Sequence, residues 1–303
     1  MNITILDGYT VNPGDIDYGP LESLCNLTIY DHTPQDLVKE RIKDCDGFFV
    51  NKNKITAELL KECPNVKFIG VFATGYDNVD IQAAKELGIA VCNVPAYSSD
   101  AVAQHTFALI LALTNHVADY NRRTIEGEWA KSQDFTFFGK PLSLLTEKSL
   151  GIIGYGNIGQ RTAKIAESFG MKINVYSKDP EACIKSDIIT LHCPLTAENK
   201  EFINRDFISQ MKTGAILINT ARGGLVNIDD LAEALKEGKL AAAGIDVLPT
   251  EPPTEGSPLI GLENCIVTPH IAWMTSETRQ RIIDISAKSL VGFLEGKDTN
   301  RIV

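Results

Sequence analysis

Short apolar runs alternate with segments of helical periodicity along most of the chain. The runs are rich in β-branched and aromatic residues, which is typical of strands buried on both faces. In the first part of the chain, strands are predicted at 3–6, 27–30, 48–50, 68–71 and 90–92, and helices at 34–43, 56–63 and 79–87. This alternation predicts a parallel sheet with helices on its faces.

A second alternating series follows a long helix that is predicted from Ser98 to about Val117. That helix is apolar almost all round, so we expect it to be buried between layers or between subunits. Strands are then predicted at 150–153, 172–176, 188–192, 215–219, 242–246 and 265–268, with helices at 156–169, at 228–238 and from Ser276 onward.

The two series predict an α/β fold with two parallel-sheet domains. One is a Rossmann dinucleotide-binding domain at 98–274. The other is a flavodoxin-like substrate domain built from 1–97 together with 275–303, because the final helix follows the last strand after only a short crossing.

Charge and composition narrow the classes of partner. The formal net charge is -10 over 303 residues, so we expect no nucleic-acid partner and no anionic membrane partner. The N-terminus lacks the pattern of a signal peptide, and the apolar run at 101–113 is shorter than the ~20 residues of a membrane span. Seven cysteines without a CxxC pair indicate reduced thiols and a cytoplasmic location, and no metal site is expected.

A glycine-rich turn follows the strand at 150–153. Gly154, Gly156 and Gly159 form GxGxxG between a strand and a helix, which is the context that dinucleotide binding requires. Gly154 permits the tight turn, Gly156 allows the backbone to approach a pyrophosphate, and Gly159 allows the helix to pack closely. The N–H groups of Gly156, Asn157, Ile158 and Gly159 would then meet the anion at the helix N-terminus.

The choice between NAD and NADP stays open at this stage. An acidic residue about 20 positions after the glycines would bind the ribose 2′-hydroxyl of NAD. Here Ser177 holds the expected position and Lys178 follows, which would suit a 2′-phosphate. Asp179 would restore the acidic contact if the register shifted by one or two residues, and a plain surface turn is a third reading.

Three further strand ends carry candidate chemistry, since ligands of open α/β sheets bind beyond the carboxyl ends of strands. Arg222 follows the strand at 215–219 and is suited to a carboxylate. Glu251 lies in a proline-rich loop after the next strand. His270 follows the last strand and is the best general acid/base candidate of the five histidines, whereas His105 and His116 are interpreted as packing or interface groups.

The chain resembles the D-isomer-specific 2-hydroxyacid dehydrogenases, and most closely their glycerate dehydrogenase (hydroxypyruvate reductase) branch. The matching motifs are ATGYDNVD at 73–80, NVPAYSSDAVAQHTFALILAL at 93–113, WAKSQDFTFFGKPL at 129–142, GIIGYGNIG at 151–159, HCPLT at 192–196, NTARGGLVN at 219–227, AAAGIDVLPTEPP at 241–253 and TPHIAW at 268–273. They cover nearly the whole chain in order.

The resemblance implies roles by position. Arg222, Glu251 and His270 match the catalytic set, with His270 as acid/base, Glu251 as its hydrogen-bond partner and Arg222 on the keto oxygen and carboxylate. It implies closure of a cleft between the domains on the substrate. Substrate contacts are expected from Ala73, Thr74, Gly75, Arg222, His270 and Trp273, and further cofactor contacts from His192, Cys193, Pro194, Thr220, Ala221, Arg222, Asp246 and His270.

One departure and several alternatives accompany this resemblance. Only nine residues separate Tyr176 from Ser186, where relatives usually hold an extra strand and helix, and this shortening affects the adenine–ribose side of the cofactor site.

Trp273 in the HIAW ending favours hydroxypyruvate or glyoxylate as substrate. Lactate-, phosphoglycerate-, formate- or phosphite-type dehydrogenases remain alternatives, although the absence of a long C-terminal regulatory extension disfavours the regulated phosphoglycerate form. A nucleotide-sensing corepressor is a further alternative. A homodimer is expected through 101–117 and the segment around Trp129.

Overall fold

A computed structural model describes residues 1–303, which form two compact units. The first unit comprises Met1–Ser98 and Met274–Val303, and the second comprises Ser99–Trp273. Each unit has a parallel β-sheet of its own with buried apolar side chains on both faces.

The sheet of the first unit has five strands in the order β2-β1-β3-β4-β5, all parallel. This is the strand order of flavodoxin-like folds. The strands are β1 (Asn2–Ile5), β2 (Asn26–Ile29), β3 (Gly47–Val50), β4 (Phe68–Val71) and β5 (Ala90–Cys92). The helices are α1 (Gly19–Glu22), α2 (Val38–Ile42), α3 (Ala57–Lys61), α4 (Ile81–Glu86) and the long α11 (Ser276–Leu294), with short 3-10 helices at Gly8–Thr10 and Gln35–Leu37.

The sheet of the second unit has six strands in the order β11-β10-β9-β8-β6-β7, also all parallel. The strands are β6 (Ser149–Ile153), β7 (Lys172–Val175), β8 (Ile188–Leu191), β9 (Ala215–Asn219), β10 (Leu240–Ile245) and β11 (Cys265–Val267). The helices are α5 (Ser99–Asn115), α6 (Val117–Ile125), α7 (Asn157–Ser168), α8 (Pro180–Ile184), α9 (Arg205–Gln210) and α10 (Ile228–Lys236), with 3-10 helices at Trp129–Lys131 and Gly223–Leu225.

The long apolar helix α5 packs between α7 and the sheet strands β9 and β10. Its side chains Val102, Phe107, Ile110 and Leu113 are buried, as the continuous apolar pattern indicates. The predicted helix ends two residues early, because His116 takes a left-handed conformation with φ of 48° and a separate helix begins after it. None of the helices of the chain combines the length and hydrophobicity needed to cross a bilayer.

The short segment after β7 has a visible consequence for the sheet. α8 connects β7 to β8 directly, so β7 is an edge strand of the six-stranded sheet. The direction in which successive strands are added to the sheet reverses at β6, since β7 lies on one side of β6 and all later strands lie on the other. Such a switch point creates a crevice at the carboxyl ends of the strands.

Candidate active site

The residues that the sequence singles out in the second unit follow one line across its sheet. Ile153, Leu191, Asn219, Ile245 and Val267 are register partners on successive strands. The next residue of each strand therefore begins a loop at the same edge. These residues are Gly154, His192, Thr220, Asp246 and Thr268, and neighbouring strands lie only about 4.8 Å apart.

The glycine turn between β6 and α7 has the geometry of a phosphate cradle. Gly154 has a φ of 98°, and a Cβ there would lie 2.5 Å from the backbone of His192 and Cys193. A Cβ at Gly159 would lie 2.2 Å from the Gly154 carbonyl oxygen, whereas one at Gly156 would meet nothing within 4 Å.

No side chain caps the N-terminus of α7, so its first N–H groups face the open space beside Gly156. Close backbone packing at two glycines and open space at the third fit a dinucleotide pyrophosphate. Gly156, Asn157, Ile158 and Gly159 are the residues that would hold it.

His192 lies next to this turn at the end of β8. Its backbone N–H donates to the Ile153 carbonyl (2.7 Å), and its ring Nε2 lies 3.1 Å from the Thr190 hydroxyl. The ring Nδ1 is buried and has no hydrogen-bond partner. Burial lowers the pKa of His192 to about 3, so this imidazole stays neutral at physiological pH. Cys193 and Pro194 continue the same loop.

The end of β7 presents Ser177 and Lys178 to solvent. The Lys178 ammonium lies 5.5 Å from the centroid of the Tyr155 ring, which belongs to the glycine turn. Asp179 is engaged elsewhere, because its carboxylate accepts a hydrogen bond from the Ala182 N–H (2.9 Å) as the N-cap of α8.

Glu251 and His270 meet in space although 19 residues separate them. Nδ1 of His270 lies 2.6 Å from a carboxylate oxygen of Glu251, and both side chains are about one-third exposed. The other Glu251 oxygen accepts a hydrogen bond from the Leu248 N–H (2.8 Å), which fixes the carboxylate. With Nδ1 committed to Glu251, Nε2 is the ring nitrogen that remains for a ligand.

Asp246 organises the backbone around His270. Its carboxylate is buried and accepts hydrogen bonds from the Thr268 hydroxyl (2.6 Å) and from the N–H groups of Ile271 and Ala272 (both 2.9 Å). Its carbonyl oxygen accepts the His270 N–H (2.8 Å). These bonds hold His270 at a φ of 56°, a conformation that non-glycine residues seldom adopt.

The carboxylate of Asp246 stays ionised in this buried position. Burial by itself raises the pKa, but the hydrogen bonds from His105, Thr268, Ala272 and Ile271 outweigh it, and the pKa is lowered. His105 on α5 contributes through its Nε2, which lies 3.1 Å from the Thr268 hydroxyl and 3.5 Å from Asp246. The interpretation of His105 as a packing group therefore missed a polar contact at the site.

Arg222 is exposed on a loop that the side chain of Asn219 holds in place. The buried Asn219 accepts a hydrogen bond from the Ala221 N–H (3.0 Å) and donates to the Arg222 carbonyl (2.9 Å). The Thr220 hydroxyl lies 3.0 Å from that of Thr106 on α5. A Cβ at Gly223 would lie 2.0 Å from the backbone of Leu248, so the Arg222 loop packs directly against the loop that carries Glu251.

In the first unit, the loop after β4 offers free backbone donors. The N–H groups of Ala73, Thr74 and Gly75 have no acceptor within the chain. The Thr74 hydroxyl donates to the Val94 carbonyl (2.8 Å), and the Asn93 amide donates to the Thr74 carbonyl (2.8 Å), so the loop is braced from both sides.

The second unit thus brings Glu251 and His270 into contact and places Arg222 on an adjoining loop. Thr268, His105, Asn219 and Tyr155 also contact the site, although the sequence analysis assigned none of them a role there. Thr268 carried a signal only as the last residue of a predicted strand. The individual roles of the site residues, including Trp273, stay predictions.

Comparison with known proteins agrees with this architecture. The family model "D-isomer specific 2-hydroxyacid dehydrogenase, NAD binding domain" matches residues 107–272. The hydroxypyruvate reductase of Blautia hydrogenotrophica is 43% identical over 99% of both chains. The glycerate dehydrogenase of Methylorubrum extorquens is 40% identical over 88% of both. The apo-structure of D-lactate dehydrogenase from Escherichia coli superposes with a TM-score of 0.86, at 28% identity and full coverage of both chains.

The chain belongs to the D-isomer-specific 2-hydroxyacid dehydrogenase family. It is an NAD(P)-dependent oxidoreductase that acts on a CH–OH group, and within the family it falls in the branch of glycerate dehydrogenases and hydroxypyruvate reductases. The family assignment, the α/β fold and the nicotinamide cofactor expected from the sequence are confirmed.

Proposed function

We propose that this chain reduces hydroxypyruvate or glyoxylate, giving D-glycerate or glycolate, with NADH or NADPH as the reductant. The observation that carries the proposal is the His270–Glu251 pair, with 2.6 Å between Nδ1 and the carboxylate, on a loop next to Arg222. Relatives named hydroxypyruvate reductase, glycerate dehydrogenase and glyoxylate reductase support the choice of substrates.

The proposed roles follow from the geometry. When bound, the nicotinamide ring supplies the hydride to the keto carbon. His270 in its imidazolium form donates the Nε2 proton to the keto oxygen, and Glu251 at Nδ1 stabilises the positive charge and fixes the ring. In the oxidative direction the neutral His270 removes the same proton. Thr220, Ala221 and Asp246 lie on the loops that would position the nicotinamide side of the cofactor.

Substrate recognition is assigned to groups suited to a short carboxylic acid. The guanidinium of Arg222 can bind the keto oxygen and the carboxylate, since its planar fork matches carboxylate geometry. The N–H groups of Ala73, Thr74 and Gly75 lack acceptors in the chain, and they are donors suited to a substrate carboxylate. Trp273 would limit the size of the substituent on C2.

A substrate panel tests the proposal. Oxidation of NADH and NADPH is followed with hydroxypyruvate, glyoxylate, pyruvate and 3-phosphohydroxypyruvate at equal concentrations. We expect kcat/KM to be highest with hydroxypyruvate or glyoxylate, and kcat to be at least about 1 per second. Preference for pyruvate or the phosphorylated acid would reject the substrate assignment, and absence of turnover with all four would reject the enzyme assignment.

The proposal extends to assembly and setting. We propose a homodimer that contacts its partner through residues 101–117 and the segment around Trp129. Support comes from the latter segment, which exposes Trp129, Phe135 and Phe138. A net charge of -10 supports the absence of a nucleic-acid partner, and seven free cysteines support a cytoplasmic location.

A further inference from the structure

The edge strand β7 ends where the two nicotinamide cofactors differ. In dinucleotide-binding folds, a carboxylate at the end of this strand binds the ribose 2′-hydroxyl of NAD, and a cation in the same place accommodates the 2′-phosphate of NADP. The residue that follows Tyr176 is Ser177, so the strand end itself carries a hydroxyl and no carboxylate.

Asp179 is the first carboxylate after this point, and the structure uses it for another purpose. It is the N-cap of α8, with 2.9 Å between its Oδ1 and the Ala182 N–H, and Pro180 fixes the first helical position. An N-cap of this kind stabilises its helix, and α8 has only five residues, so it depends strongly on the cap. Turning the carboxylate toward a ribose would remove this cap, so the register shift that would favour NAD is opposed by the local fold.

Lys178 is placed differently. Its ammonium lies 5.5 Å from the centroid of the Tyr155 ring, within the range of a cation–π contact. Tyr155 stands between Gly154 and Gly156, so the contact holds the cation beside the turn that cradles the pyrophosphate. No carboxylate pairs with Lys178, and the ammonium keeps its donors for a ligand.

We infer that the chain prefers NADPH to NADH, because the Ser177 hydroxyl and the Lys178 ammonium bind the 2′-phosphate that NADPH alone carries. This inference rests on the proposed function, in which NADH or NADPH is the reductant. The cofactor site itself can be tested by binding measurements, without turnover. Tyr155 acts as a positioning residue that orients Lys178.

Binding of adenosine fragments isolates this subsite. Calorimetric titration of the whole protein with 2′,5′-ADP and with 5′-AMP compares two ligands that differ only in the 2′-phosphate. We expect 2′,5′-ADP to bind at least about tenfold more tightly, since a charge-assisted hydrogen bond is worth about one decade in affinity or more. Equal affinities would overturn the inference.

Three variants assign the effect to residues. Lys178→Ala should weaken 2′,5′-ADP and NADPH by about tenfold and leave 5′-AMP and NADH within about twofold. Ser177→Asp should reverse the preference, because a carboxylate repels the phosphate and can accept the ribose hydroxyl. Lys172→Ala is the matched control, since Lys172 is an exposed lysine at the opposite end of the same strand.

The binding and turnover measurements together separate the cofactor preference from the substrate reaction. Equal losses of NADH and NADPH binding in Lys178→Ala would place the ammonium on the shared pyrophosphate and would overturn the assignment. Tight 2′,5′-ADP binding combined with no turnover on any 2-keto acid would uphold the cofactor inference and reject the proposed substrate reaction. The two proposals can therefore fail separately.

Discussion

The imidazole of His270 has one nitrogen bound to Glu251 and the other available for proton transfer. His270→Ala should therefore lower kcat by ~10²–10⁴-fold, the usual contribution of a general acid/base. Affinity for the reduced cofactor, measured by calorimetry, should change by less than about threefold. Loss of cofactor binding together with kcat would indicate that the residue supports the fold of the site and not the proton transfer.

Glu251→Gln tests the charge of the pair while its shape is kept. A glutamine oxygen can still accept the Leu248 N–H, so the loop should keep its conformation. The neutral amide no longer stabilises the imidazolium, and we expect kcat for the reduction to fall at least about tenfold with unchanged thermal stability. Wild-type turnover in this variant would contradict the role assigned to Glu251.

His105 connects helix α5 to the polar groups around Asp246. Replacing His105 by Phe removes a hydrogen-bond donor near a buried carboxylate, which should lower the free energy of unfolding by ~1–3 kcal/mol. We expect kcat to fall more than KM rises, because the Asp246 hydrogen bonds hold the His270 backbone. Partial rescue by His105→Gln, an isolated amide donor, would separate positioning from packing; equal defects in both variants would indicate packing alone.

At the scale of elements, Asp187 ties the start of β8 to the start of β6. Its carboxylate accepts hydrogen bonds from the N–H (2.8 Å) and hydroxyl (2.9 Å) of Ser149, and lies 2.5 Å from the Lys212 ammonium. Burial acts to raise the pKa of Asp187, but these partners outweigh it and lower the pKa from 3.8 to about 2. The ionised form is thus favoured by folding.

This shift predicts a stability that depends on pH. Since the folded pKa lies below the unfolded one, the contribution is complete above about pH 4 and is lost as the pH falls through 2. Discounted for the exposed Lys212, Asp187→Asn should lower stability at pH 7 by ~1–2 kcal/mol. The denaturation midpoint of Asp187→Asn should therefore fall further below that of the wild type at pH 7 than at pH 2.5, where part of the contribution is already lost. Glu263→Gln, which removes an exposed carboxylate, should have no effect at either pH.

The elements also show what the sequence determines. Every predicted strand exists within two residues, because strands buried on both faces of a parallel sheet leave continuous apolar runs. The missed helices lack such a signal. α6 buries no residue within the chain and follows α5 after the single residue His116, so the sequence pattern did not separate it from the longer helix. α8 did carry the Asp179–Pro180 start signal, which a reading of caps would have found.

The candidate site was predictable to a similar depth. Strand ends could be placed on one edge from the alternation alone, so Arg222, Glu251 and His270 were expected near each other. Contacts between side chains distant in the chain were not predictable, as with His105 and Thr268, which are 163 residues apart. The Asp179–Pro180 pair signals a helix start, but the sequence also permitted a ribose contact for Asp179, so the structure was needed to decide between the two roles.

At the scale of the whole molecule, residues 117–144 form an ordered arm that exposes apolar side chains. The Trp129 indole donates to the Phe135 carbonyl (3.0 Å), and the Tyr120 hydroxyl accepts the Gly139 N–H (2.9 Å). Even so, Phe135 and Phe138 are 92% and 91% exposed. A segment held by its own hydrogen bonds does not hide these rings, and exposed apolar patches of this kind mark interfaces.

We expect the exposed apolar side chains of this arm to pack against a second copy of the chain. Light scattering after gel filtration should give a dimer at micromolar concentration, and Phe135→Ser combined with Phe138→Ser should shift the protein toward monomer. Ile260→Ser, an exposed apolar side chain of the same unit outside the arm, should leave the mass unchanged. In the dimer, burial of each phenylalanine would contribute ~1.5–3 kcal/mol to the free energy of association. The double variant should therefore weaken dimerisation by several orders of magnitude. A monomeric wild type at that concentration would contradict the assignment of this arm to a dimer interface.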